Sequence, residues 1–297
     1  MDKKEIKDDS LGRETYDYAE YPICIRRDLL SAFPNYAAES HWHEDIELVV
    51  ALSGEMQYNV NGEIITLHAG EGIIVNARQL HHGFSDRKNE CDFICILFHP
   101  MLLCLTRSTD GDYARQILDS GIPYFHLSPE MAWQARIIEY VKEIWDKRNE
   151  TVAPLYAQGK LCLLWSELLA QTEKMKAVRL CDSKLTTLKN MIGYIHKHYR
   201  EKLTLADIAQ AGYVSKRTCG MIFLEYQNKT PFAFLQNYRL VKSIELMKET
   251  DLSILEISEA VGFSGASYYA ESFRKVFGQS PAAYRRQLKK SSSKEKK

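Results

Sequence analysis

The chain has 297 residues, 45% hydrophobic and 26% charged, with a formal net charge of zero. That length suits about two domains with real cores. No apolar run approaches a membrane span, and the polar start MDKKEIKDDS is no signal peptide. Seven cysteines, an odd number in no zinc-ligand spacing, fit a reduced cytoplasm.

Residues 1–20 are polar and read as a flexible tail. From 21 to 127 apolar runs alternate with Gly and Asn turns. IELVVAL (46–52), MQYNV (56–60), IITL (64–67), GIIVNA (72–77) and DFICILF (92–98) read as strands, with turns expected at Ser53-Gly54 and Asn61-Gly62. Many short strands at regular spacing suggest a sandwich or barrel. From 128 to 175 the period becomes helical, through Met131, Ala135, Ile138, Val141 and Trp145, then Leu161, Leu164, Leu168 and Leu169. Pro154 opens the second of these helices. Such a helical hairpin could cover the barrel or form a dimer interface. The interface is favoured, because two long apolar helices after a small barrel need something to bury against. Residues 176–184 read as a linker. Leu185, Leu188, Met191, Ile192, Ile195 and Tyr199 then form the stripe of a new helix, which opens a second domain over 185–288, followed by a basic tail, 289–297. The fold class is therefore α+β in two domains, the second all-α.

That second domain contains a repeat. TLADIAQAGYVSKRTCGMIF (204–223) is echoed by SILEISEAVGFSGASYYAESF (253–273), at an offset of 49 residues up to Ser215/Ser264 and 50 at Phe223/Phe273. Each copy opens with a capping box, Thr204 with Asp207 and Ser253 with Glu256. A short apolar helix, a tight turn and a second helix follow, which is the grammar of a helix-turn-helix. A further helix from about Pro231 to Glu249 joins the copies. Charge is segregated to match. Residues 185–297 hold 19 Lys+Arg against 10 Asp+Glu, and residues 1–184 hold 20 against 29. Part of the basic excess lies in the tail, so charge alone does not settle nucleic-acid binding.

This stretch, with LTLADIA, SKRTCGMIF, TPFAFLQNYRL and SILEISEAVGFSGASYYAESFRKVFGQSPAAYRR, resembles the AraC/XylS family of bacterial transcription regulators. The resemblance covers about 185–288 and implies seven helices, with two recognition helices set apart by the helix at 231–249. Two such helices can reach successive major grooves, about 34 Å apart. Ile208, Ile222, Phe223, Ile257, Val261, Phe263 and Phe273 read as core. Candidate DNA contacts are Ser215, Lys216, Arg217 and Thr218 in the first unit. In the second they are Ser264, Ala266, Ser267, Tyr268, Glu271, Arg274 and Lys275. Ser215 as N-cap offers a helix N-terminus to phosphate, and Arg217 is the best candidate to read guanine. Arg274, Lys275, Arg285 and Arg286 suit phosphate. The chain departs from the family at Gly220 and Met221, where polar base-reading residues are frequent. It also departs at Tyr213, where glycine is frequent, and at Glu271, where arginine is frequent.

In the first domain, His41, His43, Glu47 and Gly54 spell H-x-H-x3-E-x6-G, with Gly70, Gly72 and His81 following. This resembles a cupin barrel, a sensing domain common in AraC relatives, although the leading glycine of the first cupin motif and the proline of the second are missing. In metal cupins those positions would make His41, His43, Glu47 and His81 ligands, with His82 as a substitute. Three imidazoles and a carboxylate suit Zn, Fe, Mn or Ni. Strand alternation would put His41, His43, Asp45 and Glu47 on one face. An organic effector such as a sugar is nevertheless the preferred occupant, held by His41, His43, Glu47 and His81 with Trp42 and Tyr58, and Phe84 as a further stacking partner. No cofactor and no catalytic residue are assigned. The chain reads as a cytoplasmic, dimeric, effector-controlled regulator of transcription, an activator that contacts RNA polymerase and double-stranded DNA but no membrane. The alternatives are a metal-dependent cupin enzyme with an accessory DNA-binding domain, and a constitutive DNA-binding protein with a structural barrel.

Overall fold

The computed structural model describes residues 16–18, 21–103, 113–172 and 183–294, with side chains through Leu288. The chain divides into two compact units after Asp182. The 176–184 linker lies outside the described residues except for its last two, which already belong to a helix. Of the expected N-terminal tail, residues 16–18 are tied to the first unit. Tyr16 donates to Asp45, and Asp17 accepts from the Ile25 amide.

Seven antiparallel strands build the N-terminal unit: β1 (Ile23–Leu29), β2 (Ile46–Val60), β3 (Glu63–His68), β4 (Gly72–Val75), β5 (His81–Phe84), β6 (Cys91–Phe98) and β7 (Tyr124–Leu127). Their order is β1-β6-β2-β4-β7, with β3 and β5 also paired to β2. The first part of β2 pairs with β4 and β6, and its last part with β3 and β5. Asn61-Gly62 is the expected hairpin turn, with φ of 53° and 94°.

Ser53-Gly54 is not a turn. Here β2 runs on as one strand of 15 residues with a bulge, where Ala51 faces Phe93 but Ser53 faces Asp92. Gly54 has a φ of +76°, and a Cβ there would sit 1.9 Å from the Glu90 carbonyl oxygen, so no larger residue fits. One extra residue reverses side-chain parity. Before the bulge Val49 and Ala51 point into the barrel; after it Met56, Tyr58 and Val60 do. Ile46, Leu48 and Val50 point the other way, toward the helices.

Those helices are α1 (Tyr113–Leu118), α2 (Ala132–Lys147) and α3 (Ala153–Thr172), with Pro154 in the first turn of α3. Ile137, Ile138, Val141 and Ile144 of α2 share one core with Leu161, Leu164, Trp165 and Leu168 of α3 and with Ile46, Leu48, Ile96 and Phe98 of the sheet. Each such side chain contributes about 1.5–3 kcal/mol of burial. The apolar stripe thus covers the barrel, and it is not the unspent surface from which an interface was expected. Met131, read as part of that stripe, is exposed.

The C-terminal unit has the seven helices implied by the family: α4 (Ser183–His198), α5 (Leu205–Ala211), α6 (Lys216–Gln227), α7 (Pro231–Glu249), α8 (Ile254–Ala260), α9 (Ala266–Phe277) and α10 (Pro281–Lys294). The first begins two residues before the expected 185, and the last runs into the stretch read as a tail. Both capping boxes are formed. All seven residues read as core are buried. Arg239 of α7 donates to the carbonyls of Tyr199 and Glu201, each at 2.7 Å, which fastens α7 to the end of α4.

Candidate functional site

Each helix-turn-helix unit is built by local capping and a buried seam. In the first, Ser215 caps α6, accepting from the Thr218 amide at 3.1 Å, while Cys219, Ile222, Phe223 and Tyr226 face the core. In the second, Ser264 does not cap. The helix starts one residue later, with Gly265 at the N-cap position and no side-chain cap. That extra residue is why the repeat offset grows from 49 to 50. It makes Ala266 the counterpart of Lys216, Glu271 of Met221 and Arg274 of Leu224.

Lys216 and Arg217 are exposed on the first turn of α6, and Thr218 is half-buried beside Ser215, its Oγ1 2.9 Å from Ser215 Oγ. On α9, Ser267, Tyr268, Glu271, Arg274 and Lys275 are exposed, Ser264 is exposed in the turn, and Ala266 is half-buried. Gln236 of α7 braces this helix, donating to Tyr268 Oη at 3.1 Å and Ser272 Oγ at 2.6 Å. Tyr269 is fully buried and donates to Ser243 of α7. Arg285 is half-buried, with its Nε and one Nη out of contact with solvent. Arg286 is exposed. Helix α7, with 19 residues at 1.5 Å each, is about 28 Å long, a spacer on the scale of one groove repeat. Sequence reasoning passed over Leu224, which with Met221 is more than half exposed on α6. Comparing the two repeat copies position by position is the signal that finds it.

In the barrel, His41, His43, Glu47 and His81 meet, with one ligand-type atom from each lying within 4.8 Å of the others. Strand alternation is not the cause, since residues 42–45 are loop and bend and Asp45 turns away to accept from Tyr16. Instead, the backbones of His41 and His81 exchange two hydrogen bonds, 3.1 and 2.9 Å, which brings their rings to 4.6 Å. The parity reversal between Ala51 and Ser53 lets Tyr58 point inward with Glu47, and its hydroxyl donates to the Glu47 carboxylate. Each imidazole gives Nδ1 to a backbone carbonyl: His41 to Glu39 at 2.8 Å, His43 to Asp45 at 2.9 Å, and His81 to Gln79 at 2.8 Å. Nε2 of His43 and of His81 stands 3.5 and 3.4 Å from Glu47, and both are buried without a hydrogen-bond partner.

Burial pushes His41 down to about 3, helped by the neighbouring His81. Burial would lower His43 too, but Glu47 outweighs it and raises the group. Glu47 itself would be raised by burial, yet His81 and His43 hold it well below the usual carboxylate range. Burial and the Glu47 charge raise Tyr58. Trp42 is half-buried between the two histidines, and the ring stacked on His81 is Tyr58. His82 alternates to the other side of β5 and stacks on Phe84, so neither joins the cluster. A cavity of about 500 Å³ lies elsewhere in this unit, lined by Arg78, His99, Arg115 and Asp119 among others.

A barrel with a buried polar cluster, joined in one chain to paired helix-turn-helix units, defines a transcription regulator of the DNA-binding class. The helix-turn-helix domain profile matches residues 208–287, and the cupin domain profile matches residues 33–97. The chain is 28% identical to the uncharacterised HTH-type transcriptional regulator YdeC of Bacillus subtilis (strain 168), over 90% of this chain and 92% of the relative. It is 24% identical to the melibiose operon regulatory protein of Escherichia coli (strain K12), over 91% and 89%. A structure of ToxT from Vibrio cholerae aligns over 89% of this chain and 97% of its own, with 14% identity and a TM-score of 0.48. The chain thus has the make-up of the AraC/XylS-type regulators, a helix-turn-helix domain with an N-terminal cupin domain. These relatives are regulators of transcription, not enzymes, so the enzyme alternative falls. Among the described residues no helix is long and apolar enough to cross a membrane.

Proposed function

We propose that the cupin unit is the sensor of this regulator, that it binds a small-molecule effector, and that the protein activates transcription as a homodimer in contact with RNA polymerase. The observation that carries the sensor reading is the convergence of His41, His43 and His81 on the buried Glu47 carboxylate inside the barrel, with Nε2 of His43 and His81 at 3.5 and 3.4 Å from it. Placing four ionisable groups together out of water is costly, and a ligand that completes their hydrogen bonds would recover part of that cost. His41, His43, Glu47 and His81 are the proposed contacts, with Tyr58 orienting Glu47 and Trp42 at the edge. The effector acts by binding one of two states of the protein more tightly. A full-length relative named for the melibiose operon puts sugars first among the candidates.

A second reading is favoured by the Nδ1 contacts. Three imidazoles, each held through Nδ1 by a carbonyl, with Nε2 of His43 and His81 toward one carboxylate, have the outer-shell support of metal ligands. The donor set fits a divalent first-row ion, which would supply a Lewis-acidic anchor for an effector oxygen. The test is the metal content of untagged protein purified without chelator. About one equivalent per chain, lost in His43→Ala, establishes the metal reading. No metal leaves the organic effector, sought next by thermal shift with sugars; no stabilisation by any of them would count against a sensor.

For the dimer we propose the outer face of α3. Leu155, Gly159, Leu163, Ser166 and Ala170 are exposed at helical spacing, opposite the face that fills the core. On the DNA side the proposed contacts are Ser215, Lys216, Arg217 and Thr218, then Ser264, Ala266, Ser267, Tyr268, Glu271, Arg274 and Lys275. Arg217→Ala should weaken operator binding far more than binding to random duplex; equal losses would make Arg217 a phosphate contact.

A further inference from the structure

We propose that α6 reads thymine through Met221 and Leu224, so that the operator carries thymine C5-methyl groups beneath the first helix-turn-helix unit and a chemically opposite element beneath the second. This rests on α6 entering the major groove. Arg217, Met221 and Leu224 stand at i, i+4 and i+7, one stripe along the side of α6 opposite Cys219, Ile222, Phe223 and Tyr226. Met221 and Leu224 are 54% and 53% exposed. The fold does not demand apolar residues there: fifty residues on, the same two positions of α9 hold Glu271 and Arg274, both exposed. Identical places in two copies of one motif therefore carry opposite chemistry, a difference that packing does not explain.

The major groove offers one group that an apolar side chain can match, the C5 methyl of thymine. Over a G·C pair the same side chains would strip water from the O6, N7 and N4 groups without replacing a hydrogen bond, so the pair also rejects wrong sequences. Gly220 points the same way. It lies on this face, and a Cβ there would meet nothing within 4 Å, so the fold does not require glycine. Without a side chain the helix backbone can come closer to the base edges. Glu225 on the flank is engaged by Lys184 at 3.0 Å, which offsets its charge beside the DNA backbone.

The test uses the full-length protein. A duplex is first recovered from a randomised pool by repeated selection. Each thymine is then replaced singly by deoxyuridine, which pairs identically but lacks the methyl, and affinity is read by fluorescence anisotropy. For the unsubstituted protein we expect about a fourfold loss at each of one or two positions. Met221→Ala and Leu224→Ala should show a similar loss on the thymine duplex and become indifferent to deoxyuridine at their own position, as a coupled pair requires. Arg217→Ala should keep the methyl sensitivity. Both apolar residues are exposed and alanine favours helix, so the variants should fold, which circular dichroism checks. If every deoxyuridine duplex binds as tightly as thymine while Met221→Ala and Leu224→Ala are weakened, α6 contacts DNA but does not read methyls, and the proposal falls. If neither of these variants nor Arg217→Ala changes affinity, α6 is not in the groove, and the reading beneath the proposal falls with it.

Discussion

The turn between the two helices of each unit holds a residue of left-handed backbone, and the two copies fill it differently. Tyr213 has a φ of 56° and is 90% exposed, whereas its counterpart Gly262 has a φ of 83°. A left-handed non-glycine residue costs roughly 1–2 kcal/mol, and a glycine gives back about 0.4–1 kcal/mol through its freer unfolded chain. Tyr213→Gly should therefore stabilise the C-terminal unit by about 1 kcal/mol. Gly262→Ala meets the same strain and a steric wall as well. The new Cβ would lie 2.6 Å from the Arg200 carbonyl oxygen and 2.8 Å from that of Tyr199. These are backbone atoms that no rotamer change can clear, and overpacking of this kind costs about 1–3 kcal/mol. The expected loss is about 2–4 kcal/mol. Urea unfolding followed by far-ultraviolet circular dichroism measures both variants. The four tryptophans, at 42, 133, 145 and 165, all lie in the N-terminal unit, so their fluorescence reports that unit separately and should not move. With slopes of about 1–3 kcal/mol per molar urea, Tyr213→Gly should raise the midpoint by about half a molar. A lowered midpoint for Tyr213→Gly, or an unmoved one for Gly262→Ala, would refute the reasoning.

Leu163→Asp should give a folded monomer by analytical ultracentrifugation, whereas Leu164→Asp, one residue on but in the core, should unfold the N-terminal unit; a dimeric Leu163→Asp would place the interface elsewhere. The ring of His196 stacks on Tyr238 and Phe234, its Nε2 is buried without a partner, and burial pushes its pKa down to about 4. Because the folded value lies below the unfolded one of about 6.5, the unfolded chain binds the proton first. Stability of the C-terminal unit should fall as pH drops from about 6.5 to 4, by up to about 3 kcal/mol. His196→Phe should flatten that slope in pH-dependent urea melts, and an unchanged slope would acquit His196. Gly220→Ala should raise the melting temperature of the C-terminal unit while weakening operator binding; a rise in both would mean that close backbone approach is not needed.

What the sequence revealed, and what it hid, follows from how far apart the determining residues are. The helix-turn-helix copies were legible because their signals are local. A capping box spans three residues, and the apolar seam repeats every turn. The long helix α7 begins at a Thr-Pro pair, Thr230 and Pro231, and the structure starts it there. Ser53-Gly54 was misread because a left-handed glycine serves a turn and a bulge equally well. Only the pairing of Ala51 with Phe93 and Ser53 with Asp92, forty residues away, distinguishes them. Strands β5 and β7, four residues each, are too short to show a period. The helical hairpin was legible as helices, but its buried face could have met either a second copy or the sheet, and periodicity cannot say which.

The barrel cluster shows the same division. The spacing of His41, His43 and Glu47 named three of its members, and His81 was found because a fourth ligand was sought downstream. The carbonyls that orient the rings, at Glu39, Asp45 and Gln79, carry no side-chain signal at all, so only coordinates reveal them. These are the contacts that separate a polar core from a built site. An imidazole that merely satisfies itself would use both nitrogens on whatever lies nearest. Here each Nδ1 is occupied by its own chain two residues away, and two Nε2 atoms are left facing one carboxylate that is itself held by Tyr58. Tyr58 can reach Glu47 only because the bulge between Ala51 and Ser53, with Leu52 as the extra residue, reverses the parity of β2. Leu52 thus shapes the site from five residues beyond Glu47. Removing the bulged residue should turn Tyr58 out of the barrel and release Glu47, even with all four cluster residues still in the sequence.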